Sequence, residues 1–395
     1  MKSSYIRGDQ TIRKDDSMPT TNISQIISDV IDSVRFFRIE QRRFVAEYSK
    51  ALFLSSYKNT KRIANFCSSS QSSISRMLSS QSLSTRDLSY ARVEYISRFL
   101  QESSLKFKYI ILDETVMKRR GKRIENLGKF YSTIENRIVS GVSLLSAIGW
   151  VKDKLYFPLF SSLRDEETLT DQFIRMLERI PFKDTILMLD GGILCSEIFL
   201  KALDMGFKVI GRLNPVMDVI FQGVKLPLAK LRNKTRGLSS IIVRIPRYKN
   251  ATVKLVFHNT DKENRVILSS DTSLTDWEIL EHYRKRNYIE TYFKAVKQNF
   301  GLKAQVFSSN SFERHVELVQ LAFTAWMIAN FYRSVKDQLS LRDFLEIIKS
   351  DYSIHLVRTS SASDSSMLFL LPRFFNSKWF FLTIYELAHN GLQSQ

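Results

Sequence analysis

From Ile23 to Leu54 apolar residues return every three or four positions, and Ile26, Ile27, Val30, Ile31 and Val34 draw a stripe along one helical face. The segment from Thr60 to about Ser80 keeps that rhythm in two short pieces. Ile63 and Ala64 belong to the first, a serine-rich turn follows, and Ile74 and Met77 belong to the second. This is helix-turn-helix spacing, with Arg76 and several serines placed to face a groove; a plain helical hairpin has the same spacing. Ser68 stands where the turn glycine is usual.

At Phe107 the texture changes. Tyr109–Leu112 is a short apolar run leading into Asp113, which predicts a buried strand ending at that carboxylate. Val139–Val151 and Lys154–Phe160 predict two more strands meeting at a turn near Lys152 and Asp153. Glu166–Ile180 has helical spacing, with Leu169, Phe173, Met176, Leu177 and Ile180 on its apolar face. Thr185–Leu189 predicts a strand ending at Asp190, Ile193–Met205 a helix and Phe207–Leu213 a strand. Three strands, then helix, strand, helix, strand is the order of an RNase H-like mixed sheet, an α/β fold with its chemistry at strand ends.

Helical spacing vanishes from about Asn214 to Ser270, where Ile241–Ile245, Thr252–Phe257 and Arg265–Ser269 predict strands of a β-rich insertion. No carboxylate lies between Asp218 and Asp261, whereas nine cations do: Lys225, Lys230, Arg232, Lys234, Arg236, Arg244, Arg247, Lys249 and Lys254. Such a block is either a solvated face or, interleaved with strand formers and Tyr248, a folded surface for phosphates. Helix returns at Leu274 and is predicted to run to about Asn330, with Trp277 in the core.

On that helix Tyr283, Arg286, Glu290 and Lys297 fall within a sector of about 60°, with Ile289, Phe293, Val296 and Phe300 on an apolar stripe roughly 80° away. The polar four therefore sit at the margin of a buried face. Glu290 is placed to coordinate a metal while Arg286 and Lys297 neutralise phosphates. Taken alone, Arg286 and Glu290 have the spacing of a surface salt bridge, and a strand-end aspartate is as readily a turn or helix cap. Asp113, Asp190 and Glu290 together, in this strand order, form a candidate catalytic and metal-binding set, and three hard oxygen ligands favour Mg2+ or Mn2+.

Charge sharpens the picture. The 395 residues hold 59 Lys and Arg against 40 Asp and Glu, a net +19, which predicts a polyanionic partner: nucleic acid or an anionic membrane. The longest apolar stretch, Leu318–Tyr332, is too short to span a bilayer and predicts a buried helix, so no membrane is expected and DNA remains. The start, to about Pro19, has no apolar signal core. Cys67 and Cys195 make no disulfide framework or zinc cluster, which predicts a reduced compartment; with DNA as the partner, a cytoplasmic, nucleoid-associated chain is expected. The five histidines show no ligand spacing.

The spacing Tyr283, Arg286, Glu290, Lys297 matches the hallmark of the DDE transposases of the insertion-sequence-four family, and the sequence resembles that family. Leu268-Ser-Ser-Asp271, Ile289-Glu290, Phe293-Lys294, Lys297-Gln-Asn-Phe-Gly-Leu302 and His315…Leu318…Leu321-Ala322 resemble it too. Leu112-Asp-Glu-Thr115 and Leu189-Asp-Gly-Gly192 match its two aspartate motifs. The similarity runs from about Lys108 to Phe331. Asn287 departs from it, standing where the family commonly has an aromatic residue, usually Trp.

The resemblance implies an RNase H-like core with a β-rich insertion and cut-and-paste transposition. Its substrates would be terminal inverted repeats and target DNA, bound by a synaptic homodimer and often cleaved through a hairpin intermediate. Tyr283 and Arg286 would hold phosphate near the cleaved end and Lys297 the DNA backbone, with Lys294, Arg244, Arg247, Lys249 and Arg76 as further candidate DNA contacts.

The expected organisation is a loose start (1–22), an α-helical N-terminal DNA-binding region (23–106), core (107–213), insertion (214–272), core with the Glu290 helix (273–332) and a C-terminal region for dimerisation (333–395). Two rivals share the pattern: an RNase H-like nuclease without strand transfer, and a catalytically inert DNA-binding relative.

Overall fold

The computed structural model describes residues 19–360, apart from 57, 122–123, 133–135, 215, 233–236, 260–263, 304–307 and 334–338. The aromatic-rich segment Phe369–Tyr385 lies outside the described residues. Among the described residues no helix is long and apolar enough to cross a membrane.

The N-terminal region is helical: α1 (Pro19–Asp32), α2 (Ile39–Leu54), α3 (Thr60–Ile63), α4 (Gln71–Ser79) and α5 (Thr85–Glu102). The single apolar rhythm from Ile23 to Leu54 is two helices, not one. The turn between them is fixed by Arg42, which donates to the carbonyls of Val34 at 3.0 Å and Phe37 at 3.1 Å and to Asp32 at 2.8 Å. Proline suits the first turn of α1 because its missing N–H would have no partner there anyway. Within Thr60–Ser80, α3 runs on into one 3-10 turn, Ala64–Phe66, before α4. Ile63, Ile74 and Leu78 are the buried residues of this pair, and Arg76 is exposed.

The sheet begins with β1 (Tyr109–Lys118), β2 (Gly128–Ser132), β3 (Arg137–Lys152) and β4 (Leu155–Leu163). Asp153, with φ 44°, makes the turn between β3 and β4. Then follow α6 (Leu169–Arg179), β5 (Ile186–Leu189), α7 (Ser196–Asp204) and β6 (Lys208–Arg212). β1 pairs antiparallel with β3 and parallel with β5, β5 pairs parallel with β6, and β4 pairs with β3. The order β4-β3-β1-β5-β6 is RNase H-like, as the element order predicted.

The insertion holds β7 (Asp218–Phe221), β8 (Val224–Pro227), α8 (Leu228–Arg232), β9 (Gly237–Ile245), β10 (Ala251–Asn259) and β11 (Asn264–Ser269). The sequence pattern missed β2, β7, β8 and α8. β11 pairs with β6, so the insertion continues the core sheet rather than standing apart.

The segment after the insertion is not one helix. It is α9 (Asp276–Arg284), α10 (Asn287–Asn299) and α11 (Ser309–Phe331). Gly301, with φ +71°, turns the chain after α10, and the N–H of Leu302 returns to the carbonyl of Val296 at 3.1 Å. A Cβ at Gly301 would collide with Lys58. From Ser311 to Ala329 every side chain of α11 except Glu313 is buried, which is how a helix behaves when it is enclosed on all sides. It packs against β4 and against α1, α2, α4 and α5.

Arg92, on α5, is fully buried. It meets Glu317 at 2.6 Å and Gln320 at 2.8 Å on α11, and the carbonyls of Pro158 and Leu159 on β4. The N-terminal helices and the core thus form one compact unit, Met1–Arg342. The second unit, Asp343–Gln395, is described to residue 360, as part of α12 (Leu341–Ser360).

His315 on α11 has one consistent protonation pattern. Its Nδ1 lies 2.8 Å from the Tyr48 hydroxyl and its Nε2 2.8 Å from the Gly301 carbonyl. A carbonyl only accepts, so Nε2 carries the proton and Nδ1 accepts from Tyr48. Burial pushes the pKa of His315 down to about 4, Arg119 adds to that, and the Gly301 carbonyl opposes it. The unfolded chain takes up this proton near pH 6.5, so the folded state loses stability as pH falls from there toward about 4 and keeps it above 6.5. Urea titrations should show His315→Gln losing a slope of about 1.4 kcal/mol per pH unit across that window. Equal slopes in parent and variant would show that His315 is already charged in the fold.

Candidate active site

The site follows from the register of two neighbouring strands. Parallel pairing of β1 with β5 runs from Tyr109 opposite Ile186 to Leu112 opposite Leu189, and the next residues are Asp113 and Asp190. Asp113 does not end its strand as the apolar run suggested: β1 continues to Lys118, still paired with β3. It ends the parallel pairing instead. The two aspartates therefore occupy equivalent places at the crevice where adjacent parallel strands part.

The third carboxylate comes from the break between α9 and α10. Lys285 N–H bonds back to His282, Arg286 to Tyr283, Tyr288 to Lys285 and Ile289 to Arg286, each three residues away. In such a 3-10 turn side chains three apart eclipse, which aims Tyr283 and Arg286 together. No glycine or proline lies at the break, so nothing in the apolar rhythm marks it. Tyr283 is held from below by a core cluster of Ile210 on β6, Val256 and Ile267 on the insertion, and Ile279 and Leu280 on α9. Ile289, Tyr292, Phe293 and Val296 bury the other face of α10.

Arg286 joins the three carboxylates. Its Nη1 is 3.1 Å from Asp113 Oδ2, its Nη2 2.5 Å from Glu290 Oε1 and its Nε 3.9 Å from Asp190 Oδ1. The Tyr283 hydroxyl donates to Asp190 at 3.2 Å, and the Glu114 N–H donates to Asp113 at 2.8 Å. Exposure rises from 14% at Arg286 and 19% at Asp113 to 38% at Asp190 and 58% at Glu290, so the site opens on the Glu290 side.

Burial raises Asp113 to about 6, with the charges of Asp190 and Glu290 adding to it and the Glu114 N–H and Arg286 opposing it. Burial alone would lower Arg286; Asp190, Tyr283, Asp113 and Glu290 outweigh it and raise its pKa. Among the described residues no three His, Cys, Asp or Glu side chains are arranged to hold one metal ion.

Lys297 sits on the same side of α10 but turns inward. It donates to Thr115 Oγ1 at 2.5 Å and to the Val116 carbonyl at 3.3 Å, tying α10 to β1. Burial and the nearby Lys303 push it down to about 8, against the pull of Asp113. Thr115 was not singled out from the sequence, yet its place two residues after Asp113, on the same strand face, was a usable signal. Lys294 is exposed, and so is Asn287.

Trp277 is a correction: it is 58% exposed, with the Arg284 guanidinium 5.2 Å from its ring centroid.

A family model described as transposase DDE domain matches residues 108–328. The chain belongs to the DDE transposase domain family. Its fold is similar to that of piggyBac transposase in a synaptic complex with hairpin DNA, at a TM-score of 0.55 and 9% identity, covering 93% of this chain and 87% of that one. No curated protein sequence matches the chain.

The matched transposase domain includes the whole basic insertion, whose cations divide by what they touch. Lys254 is spent within the fold, 2.9 Å from Asp276 and 2.7 Å from the Leu274 carbonyl, and Lys225 lies 3.5 Å from Asp218. Arg244, Arg247 and Lys249 are exposed and make no ion pair among the described residues. Lys234 and Arg236 lie outside the described residues. In urea denaturation, Lys254→Ala should cost about 1 kcal/mol, while Arg244→Ala stays within about 0.5 kcal/mol of the parent. Equal losses would contradict this division.

Proposed function

We propose that the chain is a cut-and-paste transposase of the insertion-sequence-four kind, cleaving DNA at the terminal inverted repeats of its element and joining the freed ends to target DNA. The observation that carries this is the meeting of Asp113, Asp190 and Glu290, from two adjacent strands and a helix, around one guanidinium. Three carboxylates facing a single positive charge leave negative charge uncompensated, and their oxygens are the hard donors that Mg2+ or Mn2+ takes. Divalent ions bound there would supply activation of water and stabilisation of charge on the scissile phosphate.

The chain's own groups do the rest. The Glu114 N–H and the Tyr283 hydroxyl orient Asp113 and Asp190. Arg286 takes a DNA phosphate beside the cleaved bond, Lys297 holds α10 on β1 next to the incoming backbone, and Lys294 lies exposed one turn away. Arg244, Arg247 and Lys249 contact phosphates farther along the DNA, and Arg76 on α4 does so from the N-terminal region. The synaptic form is a homodimer. The structural neighbour was captured as a synaptic complex with hairpin DNA, which supports pairing of ends and a hairpin intermediate here.

Charge reversal at Arg244, Arg247 and Lys249 should weaken end binding and flatten its salt dependence by about 0.9 in log–log slope per lost phosphate contact. An unchanged slope would make the insertion a merely solvated surface. Glu290→Gln keeps the shape of α10 but removes the charge a divalent ion needs. Single-turnover cleavage in Mg2+ should fall by orders of magnitude, while end binding stays within a few-fold and the melting temperature holds. Cleavage at the parent rate would put the active site elsewhere.

A further inference from the structure

We infer that Arg286 is the resident counter-cation of the three carboxylates, and that divalent ions enter the site in competition with its guanidinium. The inference rests on the proposed metal-dependent function and adds a gate to it. Each nitrogen of the guanidinium faces a different acid: Nη1 to Asp113, Nη2 to Glu290 and Nε to Asp190. The side chain is largely enclosed, and the strand register fixes the two aspartates side by side whether or not a cation lies between them. Without one, the carboxylates would repel across a partly desolvated space.

The same oxygens cannot serve both cations. A magnesium ion needs oxygens at about 2.1 Å in near-octahedral array. Wrapped around the planar guanidinium, the three acids present no such array, in keeping with the lack of any three-ligand group among the described residues. Arg286 must therefore withdraw as the ions bind. Its way out is the open side of the site, past the exposed Glu290, and a DNA phosphate there would receive it. Phosphate taking the guanidinium and ions taking the carboxylates would favour each other, so the site stays held by the guanidinium and unloaded until DNA arrives.

The test is Mn2+ titration of the full chain without DNA, followed by electron paramagnetic resonance, with melting curves in EDTA and in Mn2+. Arg286→Ala should bind Mn2+ about tenfold tighter than the parent, or more, because the competing charge is gone. It should also melt lower in EDTA and gain more from Mn2+ than the parent does. Arg286→Lys keeps the charge but spans fewer of the acids, so its affinity should fall between the two. If Arg286→Ala is unfolded in EDTA, Mn2+ should refold it; failure to refold overturns the inference, as does an unchanged or weaker affinity in either variant. Mn2+ binding that survives unchanged in both Asp113→Asn and Glu290→Gln would instead overturn the metal-dependent function itself.

Discussion

Three like charges within reach of one guanidinium are the constraint around which the rest of the chain is arranged. Asp113 and Asp190 are adjacent because β1 and β5 run parallel and in register to Leu112 and Leu189. That register is set by apolar residues buried on the sheet, so the charge clash is imposed by packing far stronger than the clash itself. Glu290 is brought to the same point by α10, whose buried face is pinned by Ile289, Tyr292, Phe293 and Val296 and whose far end is tied to β1 by Lys297. Arg286 is the local answer to this crowding.

The scaffold behind the site is built to keep these elements from drifting. α11 is enclosed between β4 and the N-terminal helices, and Arg92 fastens α5, β4 and α11 at one point. Breaking a buried pair such as Arg92 with Glu317 leaves a bare charge and costs about 3–5 kcal/mol, so this contact allows little play. One consequence is that the N-terminal helices are not a tethered module. Any force on α4 would reach α11 directly, because the two pack together.

The sequence made the core strands, the Asp motifs and the buried α11 legible because each rests on apolar runs that report burial directly. It misplaced what depends on backbone hydrogen bonding alone. The 3-10 turn at Lys285 and Arg286 carries no glycine or proline, so helical spacing seemed to continue through it, although that turn is what aims Tyr283 and Arg286 together. Asp113 looked like a strand end because the apolar run stops there, whereas pairing with β3 carries the strand on. Trp277 looked like core by residue type, yet it lies on the side of α9 away from the cluster of Ile279, Leu280 and Tyr283. Lys297 falls beside the carboxylates as its spacing predicts, and its bonds to Thr115 and Val116, which tie α10 to β1, had no sequence signal of their own.

The insertion shows how one basic segment can serve two ends at once. Because β11 pairs with β6, the insertion is anchored in the same sheet that carries Asp190, and the cluster under Tyr283 draws residues from both. Lys254 closes this junction by pairing with Asp276 at the start of α9. The exposed Arg244, Arg247 and Lys249 gather at the link between β9 and β10. A polyanion bound there would pull on a rigid extension of the core sheet rather than on a loose loop. Through β11, β6 and α9 the pull would be felt at Tyr283 and the turn that carries Arg286, so load on these cations and the geometry of the carboxylates are mechanically one system.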